Sequence, residues 1–312
     1  MFKSLIVILL SMVLLLGCNT GKVKTPDETT TRGTIKIAVD ESYQLLIDTQ
    51  IYTFQKIYPY SSITAKYTTE VDAYDLFMKD SIRLMIVNRE LSNEQKKMLN
   101  QVKIIPRTTR IAYDALAFIL NKENKDTLLR YDQLQSVFNG NINSWKQIDK
   151  NSSLSNIKVV FDNNSSGNPR FIREKFGIKE SFPDYCYAVN SNEEVINYVE
   201  KNKNAIGIIS VNWISDRDDT LSATFLKKIS IASIGQPGDT EGSGEFRKPY
   251  QGYIAEGTYP FIRSMYAISR ETFVGLGSGF IQFIAGDQGQ RIVLKSGLVP
   301  ATMPIRLVQI KK

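Results

Sequence analysis

The chain has 312 residues, with 39 Lys and Arg against 32 Asp and Glu, a formal net charge of +7, and no histidine. The missing histidine excludes a Ser-His-Asp triad and a histidine-ligated zinc, and two cysteines, Cys18 and Cys186, leave no expectation of an intrachain disulfide. The positive charge is scattered, with no basic run longer than pairs such as Lys96-Lys97 and Lys227-Lys228. The dense basic stripe of a nucleic-acid binder is therefore missing, while a mildly basic surface still favours anionic solutes.

At the N-terminus, Lys3 precedes an apolar run from Leu5 to Leu16, interrupted by Ser11 and ending in Leu15-Leu16-Gly17-Cys18. The run is too short to span a bilayer comfortably, and its charged-then-apolar order is that of a secretory signal. A small residue followed by cysteine resembles a bacterial lipoprotein lipobox, which implies that Cys18 becomes the lipidated first residue of the mature chain. Residues 1–18 are thus expected to be a lipoprotein signal peptide. Residues 19–32, polar and carrying three consecutive threonines, are expected to be a disordered tether. The protein should sit on the periplasmic or cell-surface face, anchored through the lipid. No other apolar run is long enough to cross a membrane.

Beyond the tether, strands alternate with helices, which predicts an α/β architecture with substantially parallel sheets. Thr34 to Val39 reads as a strand; Asp40-Glu41-Ser42 then caps a helical pattern through Leu45, Ile51, Phe54 and Ile57 that Pro59 stops. A strand at Ile63 to Tyr67, a helix at Val71 to Lys79 and a strand at Ile82 to Val87 follow, then a Ser92-x-x-Gln95 capping box opens another helix. Ala115 to Leu120 reads as a strand and Tyr131 to Phe138 as a helix ended by Asn139-Gly140. Val159 to Phe161 leads through a polar turn into a helix begun by Pro169 and ended near Gly177. A helix over Glu193 to Glu200 and a strand over Ala205 to Val211 come next, then a long glycine-rich excursion, Gly235 to Gly257. Ser264 to Ile268 is a strand, and Gly279 to Ser296 reads as one amphipathic helix.

Three strand-to-helix turns carry the chemistry: Asp40-Glu41-Ser42-Tyr43, Asn88-Arg89, and Asn164-Ser165-Ser166-Gly167-Asn168. Free backbone N–H groups and the positive end of the helix dipole make such a turn an anion site. In parallel sheets these turns gather outside the carboxyl ends of the strands. The other groups have plainer readings. Cys186 is a structural thiol, Asp216, Asp218 and Asp219 form a solvated loop, and Gly275-Leu-Gly-Ser-Gly279 lacks the βα context of a dinucleotide loop.

From residue 33 onward the chain resembles the phosphate-binding component of bacterial phosphate ABC importers. The resemblance rests on Tyr131 to Gly140 with Ile142-Asn-Ser-Trp145, on Ala205 to Ile209, on Tyr259-Pro-Phe-Ile-Arg263 with Met265-Tyr266, and on Phe280 to Pro300. It implies a two-lobe type II periplasmic-binding-protein fold with two crossover strands. Lobe one would comprise residues 33–113 and 264–312, and lobe two residues 114–263. It further implies a small oxyanion, phosphate, held by Ser42, Tyr43, Arg89, Ser165, Ser166, Gly167 and Asn168, with Arg89 supplying charge. Delivery to an ABC permease, a monomeric state, and no catalysis, cofactor, metal or nucleic acid complete the expectation.

The ligand motifs depart from the family pattern. Thr68-Thr69-Glu70 stands where a glycine-rich turn belongs. Asp162 stands where the family has its anion-gripping arginine, and Asn168 replaces a threonine. Like charges about 4 Å apart repel by roughly 4 kcal/mol even at an effective dielectric near 20, so Asp40, Glu41 and Asp162 must either turn away from an anion or take up protons. Two alternatives therefore stay open: a cleft for a different small solute, and a cleft-degenerate relative serving as a surface sensing or interaction module.

Overall fold

The structure, a computed structural model, describes residues 28–305. The signal peptide with Cys18 lies outside the described residues.

Twelve strands and eleven helices follow one another among those residues. The strands are β1 Gly33–Asp40, β2 Ser61–Thr68, β3 Leu84–Val87, β4 Arg107–Asn121, β5 Leu128–Leu129, β6 Lys158–Phe161, β7 Cys186–Ala188, β8 Ala205–Ser210, β9 Ile229–Ile231, β10 Ser233–Ile234, β11 Ile262–Ser269 and β12 Val299–Pro300. The helices are α1 Gln44–Ile57, α2 Glu70–Met78, α3 Asn93–Gln101, α4 Tyr131–Phe138, α5 Trp145–Ile148, α6 Gly167–Phe176, α7 Asn192–Lys201, α8 Thr220–Lys228, α9 Gln251–Ala255, α10 Leu276–Ala285 and α11 Asp287–Lys295.

The main sheet runs β2-β1-β3-β11-β4-β8-β6-β7. β1 is parallel to β2 and β3, and β6 is parallel to β7 and β8. β4 joins these two parallel halves by changing partner along its length. Its first part pairs antiparallel with β11 as far as Ala115↔Ile262, and its second part pairs antiparallel with β8 from Leu116↔Ser210. Every residue of β3 and β8 is buried, as expected of strands covered by helices on both faces. The consequence for function is geometric: the carboxyl ends of β1, β3, β6 and β8 all point at the place where β4 switches sheets.

β4 extends well before the predicted Ala115. Arg107 to Arg110 are exposed or half-buried, so they carry no apolar signal, and pairing with β11 makes them a strand. The predicted single C-terminal helix is two, because Gly286 adopts an extended conformation, φ −83° and ψ 175°, between α10 and α11. The end of the expected tether is packed: Thr29 bridges Arg32, and Glu28 accepts from Arg83 Nη2 at 2.8 Å and from the Leu276 amide at 3.0 Å. Gly177, left-handed at φ 66°, ends α6 where the sequence places its stop.

Trp145, one of the residues carrying the family resemblance, is fully buried and donates its indole N–H to the Asn204 carbonyl at 3.0 Å. Trp145→Ala is expected to cost about 3–5 kcal/mol, read as a lower urea midpoint at unchanged m-value.

Candidate functional site

Three turns meet where β4 changes sheets. Asp40 closes β1 and caps the short 3₁₀ turn Glu41–Tyr43 by accepting the Ser42 amide at 2.9 Å. After β6, the Ser166 hydroxyl donates to Asp162 Oδ1 at 2.7 Å and accepts the Asn168 amide at 3.3 Å, which starts α6. After β3, Asn88 donates to Asp40 Oδ2 at 3.3 Å and accepts from Arg170 of α6. Bonds between the two sheet halves close the cleft. Arg170 grips Glu70 of α2 through Nε at 2.6 Å and Nη2 at 3.1 Å, and the Val71 amide donates to the Ser165 carbonyl at 3.2 Å. Asn212 Nδ2 donates to the Ser42 carbonyl at 3.2 Å, and Asn192 donates to Glu41.

Five of the seven expected ligand residues lie buried at this junction: Ser42, Tyr43, Ser166, Gly167 and Asn168. Four of the polar atoms there have no hydrogen-bond partner among the described residues: the donors Ser42 Oγ, Tyr43 OH and Arg263 Nη2, and the acceptor Asn212 Oδ1. Arg263 comes from β11. It donates from Nε to Asp114 at 2.7 Å and from Nη1 to Asn168 Oδ1 at 2.6 Å, and its guanidinium carbon lies 5.5 Å from the Tyr43 ring centre. Burial works against its charge, but Tyr43, Asp114 and Asp40 together more than offset that and hold the guanidinium above its ordinary range. An orphaned buried donor costs about 1–3 kcal/mol, more on a charged group. Three orphaned donors at one junction suit a bound anion.

The other two expected residues are placed differently. Arg89 lies over the Tyr74 ring, 3.9 Å from its centre, and pairs with Glu70 at 3.2 Å, so its charge is committed at the rim rather than inside. Ser165 is exposed, and its contribution is the carbonyl that receives Val71. The interior cation is Arg263, which in the sequence stands within the motif Tyr259-Pro-Phe-Ile-Arg263 and reads there, after Arg89 and beside Arg170, as a charge that could offset one carboxylate but hardly three. Its signal is the one charged residue in the strand Ile262–Ser269.

The carboxylates do not turn away. Asp40, Glu41 and Asp162 line one small cavity of about 160 Å³, together with Thr68, Thr69 and Ser166. Burial, reinforced by Glu70 and Asp162, pushes Asp40 up to about 7. Burial, with Asp162 and Asp40 nearby, pushes Glu41 up to about 8, and burial likewise raises Asp162. A larger hollow of about 620 Å³ lies beside β8, walled by Val211, Leu226, Ile231 and Tyr250; it shares no lining residue with this cavity. Cys186 is half-buried with its thiol pushed up to about 12 by burial, as a structural thiol should be. Among the described residues no helix is long and apolar enough to cross a membrane.

The fold is shared with known proteins. The phosphate-binding protein PstS of Staphylococcus haemolyticus is 25% identical over 240 residues, 75% of this chain and 71% of the relative. The PstS of Staphylococcus saprophyticus is 25% identical over 223 residues, 70% of this chain and 65% of the relative. Among solved structures, a Clostridium perfringens substrate-binding protein with bound phosphate superposes with a TM-score of 0.72 at 22% identity, covering 86% of this chain and all of that one. An ABC-type phosphate transport receptor from Vibrio cholerae gives 0.65 at 20% identity, with 86% and 100% covered. The PBP superfamily domain model matches residues 24–288, and with its split parallel sheet joined through β4 the chain belongs to the PBP superfamily and has the fold of a type II periplasmic binding protein.

Proposed function

We propose that the protein is a solute-binding protein that captures phosphate outside the cytoplasm and delivers it to an ABC permease. The observation that carries this reading is the grouping of Ser42 Oγ, Tyr43 OH and Arg263 Nη2, three buried donors without partners at the junction of three strand-to-helix turns. An oxyanion between them would satisfy all three, while the amides opening α6 and the Ser166 hydroxyl complete its shell. The PstS relatives support phosphate as the oxyanion. Closure over the ligand gives the permease a shape to recognise, and no covalent bond is made or broken.

Residues 33–113 with 264–312, and residues 114–263, serve as the two lobes, hinged where β4 and the Phe261–Arg263 segment cross. Lipid on Cys18 anchors the protein as a monomer, and the packing of Glu28 to Arg32 leaves residues 19–27 as the tether. Calorimetric titration of the purified protein with phosphate is expected to give a dissociation constant in the micromolar range or below. Absence of heat up to millimolar phosphate would remove phosphate, and would favour the sensing or interaction module instead.

A further inference from the structure

We infer that the cleft takes its oxyanion together with protons, which the carboxylate cluster of Asp40, Glu41 and Asp162 acquires as the lobes close. The inference rests on the phosphate reading and adds to it a dependence on external pH.

The charges facing the cluster come from every element around it. Arg263 of β11 is matched by Asp114 of β4, at 2.7 Å. Arg170 of α6 and Arg89 beyond β3 converge on Glu70 of α2, at 2.6 and 3.2 Å, and Arg170 also reaches Glu174 at 2.6 Å. Tyr67 of β2 donates its hydroxyl outward to Asp48, and Tyr43 stays neutral because burial raises it well above its ordinary value. No guanidinium or ammonium is paired with the cluster itself among the described residues. Asp40 has the Ser42 amide and the Asn88 amide group, Glu41 has Asn192, and Asp162 has the Ser166 hydroxyl with Asn192 at 3.4 Å.

The balance decides the matter. Three guanidiniums (Arg89, Arg170 and Arg263) face five carboxylates (Asp40, Glu41, Glu70, Asp114 and Asp162), so a fully ionised cleft is already negative before an anion enters. In the open cleft, water solvates the three unpaired carboxylates and they titrate as ordinary acids. Closing buries them against one another and against the anion, and neutralising them is then the low-energy course. Their raised values in the closed form, about 7 for Asp40 and about 8 for Glu41, agree with this. Each proton taken up makes the affinity fall about tenfold per pH unit between the ordinary carboxylate value of the open cleft and the raised value of the closed form, and the fall levels off above the raised value.

The test is calorimetric titration of the native protein with inorganic phosphate, in buffers of different ionisation enthalpy and across about pH 5.5–8.5. Glu41→Gln and Asp162→Asn, amides that imitate the protonated acids, are titrated alongside. Near pH 6, where free phosphate is already mostly singly charged, the native protein is expected to take up about two protons per phosphate bound, one each on Asp40 and Glu41. The amide variants are expected to take up fewer and to bind less steeply with pH. Native binding without proton uptake, or a native pH slope equal to that of free phosphate's own ionisation, overturns the inference and leaves phosphate capture standing. No binding at any pH overturns the phosphate reading, and the proton coupling with it.

Discussion

Arg263→Ala is expected to weaken phosphate binding by about a hundredfold or more, the largest loss from any single side chain in the cleft. Arg89 and Arg170 are committed to Glu70, whereas Arg263 keeps one buried nitrogen, Nη2, without a partner. A charge-assisted hydrogen bond in a water-free site is worth several times its value at the surface. The substitution also strands Asp114, which is fully buried and has Ser210 as its other side-chain partner, at 3.0 Å. Removing one member of a buried pair costs about 3–5 kcal/mol of stability, so Arg263→Ala needs companions that fold. Arg263→Lys keeps the charge and loses the planar fork, and should bind with intermediate affinity. Tyr43→Phe deletes a second orphan, the Tyr43 hydroxyl, with little effect on stability because that hydroxyl has no protein partner to lose. Undiminished affinity in Arg263→Lys and Tyr43→Phe together would move the anion away from this trio.

Gly167→Ala is expected to prop the cleft open. A Cβ at Gly167 would lie 1.9 Å from Asn88 Nδ2 and 2.8 Å from its Cγ, so the asparagine must leave. Asn88 is buried and holds Asp40 on one side and Arg170 on the other, and its departure breaks contacts on both halves of the closed form. Affinity should fall by about tenfold to a hundredfold, equivalent to about 1.4–2.8 kcal/mol. The fold itself should hold, because alanine is favoured over glycine in a helix by about 1 kcal/mol. Hydrogen exchange checks this directly: amides at Ser42 and Tyr43 and at the start of α6 should exchange faster, with the melting temperature little changed. Unchanged exchange and unchanged affinity would show that Asn88 and Gly167 do not hold the cleft shut.

Elements with strong local patterns are legible in the residue order. The Ser92 capping box, the Asn139-Gly140 stop and the Gly177 cap fall where turn chemistry places them. Elements defined by distant pairing are not. The first part of β4 carries exposed and polar residues and is a strand because β11 lies beside it. The division between α10 and α11 rests on the extended backbone of Gly286, a departure from helix that residue order does not announce. The site divides in the same way: Ser42, Tyr43, Ser166, Gly167 and Asn168 follow from strand-to-helix turns. Arg89 adjoins a turn and is expected inside on that ground, but Tyr74 and Glu70 draw it to the rim.

Residue order alone determined that this is an α/β chain with amide-rich turns at its strand ends and no histidine chemistry, because hydrophobic period, caps and composition are local properties. It also showed that carboxylates stand where an anion site wants cations. Only the tertiary structure decided how that conflict is met. Arg263 is 149 residues from Asp114 in the chain, and pairing of β11 with β4 brings the two together. Asp40, Glu41 and Asp162 share one cavity because β1 and β6 end on either side of the same strand switch. Charge balance in a cleft is a sum over groups that meet only after folding, and burial sets the strength of each of them.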